Sequence, residues 1–167
     1  MLHLLGANVT AVGATSGLQA CFDAGATAVV DRHAQSLASL PRHFAATLNF
    51  ANWDDEAALL RLLSPDAAGH ATTVHPLLGN FDRLGLVAGG VASLAGKRAK
   101  RALIPHGARY GWTTFRSSVA VLQSLATCAA SLRPLCVKTF PLSQAEQAYL
   151  HVTRREAGRA VLLPQQH

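Results

Sequence analysis

Asn8 to Asp31 read NVTAVGATSGLQACFDAGATAVVD, a run that changes local structure three times. Val9-Thr10-Ala11-Val12 is apolar and β-branched, which suits a strand. Small residues follow at Gly13, Ala14, Thr15, Ser16 and Gly17, and Leu18, Cys21 and Phe22 then recur at helical spacing. Gly25 stops that helix, and Ala28-Val29-Val30 forms a second strand ending at Asp31. Strand, turn, helix, glycine and strand make one βαβ unit. Its strands are parallel because the crossover helix returns the chain to the end it started from.

Composition narrows the class. The 167 residues suffice for one domain with a substantial core; half are hydrophobic and 14% are charged, which excludes a disordered chain. No apolar run is long enough to cross a bilayer, so no membrane partner is expected. The first residues, MLHLLGANV, lack the basic start and long apolar core of a secretory signal. Three cysteines, Cys21, Cys128 and Cys136, form no CxxC pair. They point to free thiols in a reducing compartment, and a cytoplasmic location is expected. The eight histidines are dispersed, with no HxH or HxxxH pair and no acids or cysteines at ligand spacing, so no metal site is expected.

The net charge of +6 suits phosphates, nucleic acid or acidic membranes as partners. The one dense cluster is Lys97-Arg98-Ala99-Lys100-Arg101. Four cations in five residues can hold phosphates, but no aromatic stacking platform or reader motif accompanies them. The cluster is read as a solvated loop, and nucleic acid is not the expected partner.

Along the chain, residues 1 to 7 look like the end of a helix stopped at Gly6. A short helical patch near Ala34 to Leu40 ends at Pro41, and Phe44 to Phe50 is a candidate strand. Asn52 to Glu56 reads as a helix start with Asp54 as a cap, and Leu59, Leu60, Leu62 and Leu63 supply its apolar side. Gly69 to His75 is another strand. The alternation favours an open parallel sheet with helices on both faces. Leu84 to Ala95, broken by glycines, is read either as a strand with a loop or as a partner-facing segment, and Arg101 to Ile104 as a strand. A helix is expected from Phe115 or Ser117 to Leu132, a strand over Cys136 to Phe140, a helix from Ser143 with Glu146 completing a capping box, and a last strand over Arg159 to Leu163.

Three stretches in this order resemble the medium-chain dehydrogenase/reductase superfamily, most closely its quinone oxidoreductases and zinc-type alcohol dehydrogenase-like proteins. GANVTAV with the helix and DAGATAVVD is similar to the family's second strand, helix and third strand. LLSPDAAGHATTV is similar to its helix end and fifth strand. VKTFPLSQAEQAYLHVTRREAGRAVLLP resembles its C-terminal signature, with Arg159 where lysine is usual. The resemblance implies a Rossmann-like, mostly parallel doubly wound sheet lacking its first strand and glycine-rich turn. It divides the chain into a partial nucleotide-binding domain over 1–132 and a strand-helix-strand over 133–167 that would rejoin a missing catalytic domain.

Site expectations follow from strand ends, where ligands sit in doubly wound sheets. Gly13, Ala14, Thr15 and Ser16 close the first strand without an acidic residue. The hydroxyls of Thr15 and Ser16 are expected to hydrogen-bond a ribose 2′-phosphate, which favours NADP(H). By resemblance Phe50, Ala51, Val74 and His75 line the adenine-ribose and nicotinamide path, and His75 is a candidate for proton transfer or phosphate contact. Zinc ligands lie mainly in the family's other half, and no catalytic residue is named in this chain. Leu84 to Ala95 is a candidate dimerisation edge. The expected function is the cofactor-binding portion of an NADPH-dependent oxidoreductase passing a hydride to a quinone, enone or carbonyl, incomplete and inactive without a companion catalytic domain. The alternative is a degenerate Rossmann-like dimerisation or scaffold module.

Overall fold

The computed structural model describes residues 2–114, 116–129, 137–154, 156 and 158–164. The chain divides into two compact units, Met1–Gln35 with Ser118–His167, and Ser36–Ser117. The domain boundary expected between 132 and 133 lies outside the described residues.

In the first unit, β1 (Thr10–Gly13) pairs in parallel with β2 (Ala28–Asp31) around the helix α1 (Leu18–Asp23). Gly25, with φ +93°, ends the crossover as expected. The α4 helix (Val119–Ala129) has no buried residue, and its apolar face at Val119 and Leu122 is exposed. β6 (Val137–Pro141) and β7 (Arg159–Leu163) pair with each other in parallel through α5 (Ala145–Thr153). The helix starts at Ala145 after a short 3₁₀ turn, and the expected Ser143 capping bond is not made. Buried His151 ties α5 to the turn before β7: its Nδ1 lies 3.0 Å from Glu156 Oε2 and its Nε2 2.9 Å from the Gly158 carbonyl.

In the second unit, β3 (Ala46–Asn49), β4 (Gly69–Thr72) and β5 (Arg109–Trp112) form a three-stranded parallel sheet in that order. Helix α2 (Glu56–Arg61) links β3 to β4, and Leu60 and Leu63, both fully buried, form with Ala67 the apolar core that Ile104 and Tyr110 pack against. Asp54 is not the cap. Asn52 accepts the Asp55 amide at 2.9 Å and donates to the Asp55 carboxylate at 2.7 Å.

Two expectations fail here. Leu84 to Ala95 is neither strand nor loop but part of α3 (Leu77–Arg101), which breaks at Gly85 (φ +77°, ψ +173°), a conformation open to glycine. The halves fold back so closely that a Cβ on Gly89 would lie 2.6 Å from the Asn80 carbonyl, and Asn80 donates to Ser93 across the gap at 3.0 Å. Arg101 to Ile104 is the end of this helix and its turn, and the strand comes later, at β5.

Every described strand pair is parallel. In the common doubly wound order 3-2-1-4-5-6, removing strand 1 leaves the pairings 3-2 and 4-5-6. Those are the β1–β2 and β3–β4–β5 ladders found here.

Candidate functional site

The first set of expected site residues lies in the first unit. Gly13 ends β1, Ala14 is extended, and Thr15–Gly17 form a 3₁₀ turn leading into α1 with no side-chain cap. The Thr15 hydroxyl donates to Asp31 Oδ2 at 2.6 Å, while Asp31 Oδ1 accepts the His33 amide at 2.9 Å. The Thr15 bond, seconded by the His33 amide, holds the Asp31 carboxyl below its usual range, so it is ionised at neutral pH. Sequence reasoning missed this carboxylate, because Asp31 ends the other strand of the unit and the register pairs it with Gly13. Ser16 is exposed.

The second set lies at the carboxyl ends of β3 and β4. Phe50 is two-thirds exposed, and the Ala51 amide donates back to Asn49 Oδ1 at 3.1 Å. Val74 is held by Thr72, whose hydroxyl accepts its amide at 3.3 Å. His75 stacks on Trp112, the last residue of β5, with ring centroids 4.7 Å apart and planes within 3°. His75 Nδ1 is out of water and has no hydrogen-bond partner among the described residues. Trp53, after β3, meets Trp112 edge-on at 5.7 Å. The Lys97 ammonium lies 5.4 Å from the centroid of the Trp112 ring, and that of Lys100 lies 5.5 Å from that of Trp53. Two members of the run expected as a solvated loop are thus half-buried on a helix, against aromatic faces.

Beneath this edge lies a polar interior. Strand alternation puts Thr47 and Asn49, His70 and Thr72, and Tyr110 and Trp112 on one face, and the register aligns them in two rows across the sheet. Parallel strands ordinarily carry Val, Ile and Leu there. Glu56 reaches into this face from the start of α2 and is fully buried. Its Oε2 accepts from Asn49 at 2.7 Å and its Oε1 from the Tyr110 hydroxyl at 2.7 Å. His70 Nε2 comes within 3.1 Å of Oε1 without the alignment of a hydrogen bond, and His70 Nδ1 is 2.7 Å from the Thr47 hydroxyl. Burial alone would raise the Glu56 pKa, but the contacts with His70, Asn49 and Tyr110 outweigh it and hold the carboxyl below its usual range. Burial also pushes the Tyr110 hydroxyl well above its usual value, so it stays a donor. Tyr110 in turn accepts the Trp112 indole N–H at 3.1 Å, which ties the aromatic edge to Glu56.

No family model matches the chain. It is 32% identical over 166 residues to the mitochondrial NAD(P)H oxidoreductase RTN4IP1 of Mus musculus, covering 94% of this chain and 42% of that protein. The protein of the same name from Bos taurus is 31% identical over 167 residues, covering 93% and 41%. The chain therefore spans less than half the length of these relatives. Among solved structures, a quinone oxidoreductase from Coxiella burnetii superposes with a TM-score of 0.64 at 16% identity, over 96% of this chain and 46% of that one. An alcohol dehydrogenase-like protein from Sinorhizobium meliloti 1021 gives 0.65 at 23%, over 96% and 42%. These two share the fold. The curated relatives overturn the cytoplasmic expectation, since they are mitochondrial proteins. That expectation rested on free thiols and a missing secretory pattern, and neither separates cytosol from mitochondrion. In sequence and fold the chain fits the C-terminal half of a medium-chain dehydrogenase/reductase.

Proposed function

We propose that the chain is the cofactor-binding part of an NADPH-dependent mitochondrial oxidoreductase, completed by a catalytic domain and inactive without one. The observation that carries this reading is the parallel ladder β3–β4–β5, whose carboxyl ends bring Phe50, Ala51, Val74 and His75 to one edge. The relatives' NAD(P)H chemistry supports it. His75, whose Nδ1 has no hydrogen-bond partner among the described residues, stands at the same edge. When bound, nicotinamide supplies hydride chemistry, and quinones, enones or carbonyl compounds are the acceptors the resemblance implies.

The chain's own residues bind and orient. Phe50, Ala51 and Val74 line the path, and His75, held flat on Trp112, offers a nitrogen to a phosphate or a proton. Gly13, Ala14, Thr15 and Ser16 meet the adenosine ribose. There Ser16 is the hydroxyl available to a 2′-phosphate, because Thr15 already donates to Asp31. In this reading residues 1–132 form the nucleotide-binding part and 133–167 join the catalytic domain, and pairing into a homodimer belongs to the same proposal. Both tryptophans of the chain, Trp53 and Trp112, stand at the carboxyl edge, so their emission reports on it directly. Titration with NADPH and, separately, NADH should give saturable quenching, tighter for NADPH. No saturation with either up to about 1 mM, an affinity near −4 kcal/mol, overturns the reading. Tighter binding of NADH overturns the choice of NADPH.

A further inference from the structure

We propose that Lys97 and Lys100 form an anion subsite that grips the phosphate of a nicotinamide mononucleotide unit, with Trp53, Trp112 and His75 as its aromatic wall. The proposal rests on the cofactor reading above and adds to it the residues that supply charge.

The cationic run splits in two. A spacing of three puts Lys97 and Lys100 on one face of α3. Both are half-buried with their ammonium groups over indoles, whereas Arg98 and Arg101 are exposed. Arg101 instead lines a shallow cavity with His106 and Arg109 at the amino end of β5. An ammonium over a ring face keeps protons for other acceptors, because it has three. Among the described residues neither lysine lies within ion-pair distance of a carboxylate. Glu56, the buried carboxylate behind Tyr110, is already engaged by Asn49, Tyr110 and His70. Two half-buried cations side by side on a helix face, with protons to spare, suit an anion.

The place is right for a nucleotide. Trp53 follows β3, His75 follows β4 and Trp112 ends β5, so all three stand at the carboxyl edge of parallel strands, where ligands of such sheets sit. The Trp112 side of the wall is tied down: Tyr110 donates to Glu56 and accepts the Trp112 indole N–H. Lysines held over it lose less freedom on binding than free surface lysines would. A phosphate satisfies both ammonium groups, with the indoles beneath them as the wall.

Nicotinamide mononucleotide and nicotinamide riboside differ only by the phosphate. Titrated into the intact chain at low salt and followed by tryptophan emission, the mononucleotide should bind about tenfold more tightly, and added salt should narrow the gap. The double variant Lys97→Ala/Lys100→Ala should close it to within about threefold with an unchanged circular dichroism spectrum, and Lys97→Arg/Lys100→Arg should restore it. A mononucleotide that binds no more tightly than the riboside, or a gap that survives the alanine variant, overturns the subsite. If NADPH still binds in either case, the cofactor reading stands without it. If NADPH does not bind at all, both fall.

Discussion

Glu56 is a carboxylate with no exposed surface, and such a group is stable only while every lone pair it brings inside is used. Asn49 and Tyr110 donate to it, and His70 Nε2 lies 3.1 Å from Oε1. Removing it takes one buried partner from each of Asn49, Tyr110 and His70, so Glu56→Ala should cost about 3–5 kcal/mol in urea denaturation. Glu56→Gln should cost less, since an amide still accepts one of the bonds. The folded pKa lies below the unfolded value of 4.5. A carboxylate depressed in this way contributes stability that is fully present above pH 4.5 and is lost as pH falls through the folded pKa. Stability measured against pH should therefore drop on the acid side of 4.5, and the drop should be shallower in Glu56→Gln. Tyr110→Phe removes one bond to Glu56 and the acceptor of the Trp112 indole, and should cost about 1–3 kcal/mol by the same measurement. None of this was visible in the sequence. One acid near a helix start reads as a cap or a dipole contact, and its partners lie on three strands up to 54 residues away. The placement of Phe50 and His75 just after strands, by contrast, was legible, because a strand end is a local pattern.

Elements built from apolar alternation and glycine stops were legible for the same local reason: β1, α1, β2, β3, β4 and β7 lie where hydropathy places them. α3 was not. Its glycines at 85, 89, 90 and 96 argue against a helix when taken singly, yet two of them make the folded-back helix possible. Gly85 takes the turn, and Gly89 lets one half touch the backbone of the other. The signal is long-range, since it depends on Asn80 and Ser93 facing each other. Gly89→Ala puts a methyl group against the Asn80 carbonyl and the Phe81 ring, and the backbone must shift to admit it. We expect a loss of about 1–3 kcal/mol, measured by thermal or urea denaturation, although alanine is the better helix former. A neutral or stabilising effect would mean that the two halves do not meet as described. β5 was misplaced for a related reason. Leu103 and Ile104 carry the hydropathy, whereas the strand uses Tyr110 and Trp112 two residues apart around Gly111.

Across the whole molecule, stability should be uneven. The unit Ser36–Ser117 holds the three-stranded sheet, Leu60, Leu62, Leu63 and Ala67, and the Glu56 network. The other unit relies on two-stranded ladders, and among its described residues only Val30, Phe140, Ala148 and His151 are buried, while α4 buries none. Two-stranded ladders are marginal in water unless a helix or further strands cover them. Amide hydrogen exchange should therefore be slowest in β4, at Ala71 and Thr72, which is paired on both sides, and fastest in β1 and β2. Both tryptophans lie in Ser36–Ser117, so their emission follows that unit alone, whereas far-ultraviolet circular dichroism follows both. In urea the dichroism should begin to fall before the emission shifts. Coincident curves with one midpoint, together with equal protection in β1 and β4, would show a single cooperative unit instead.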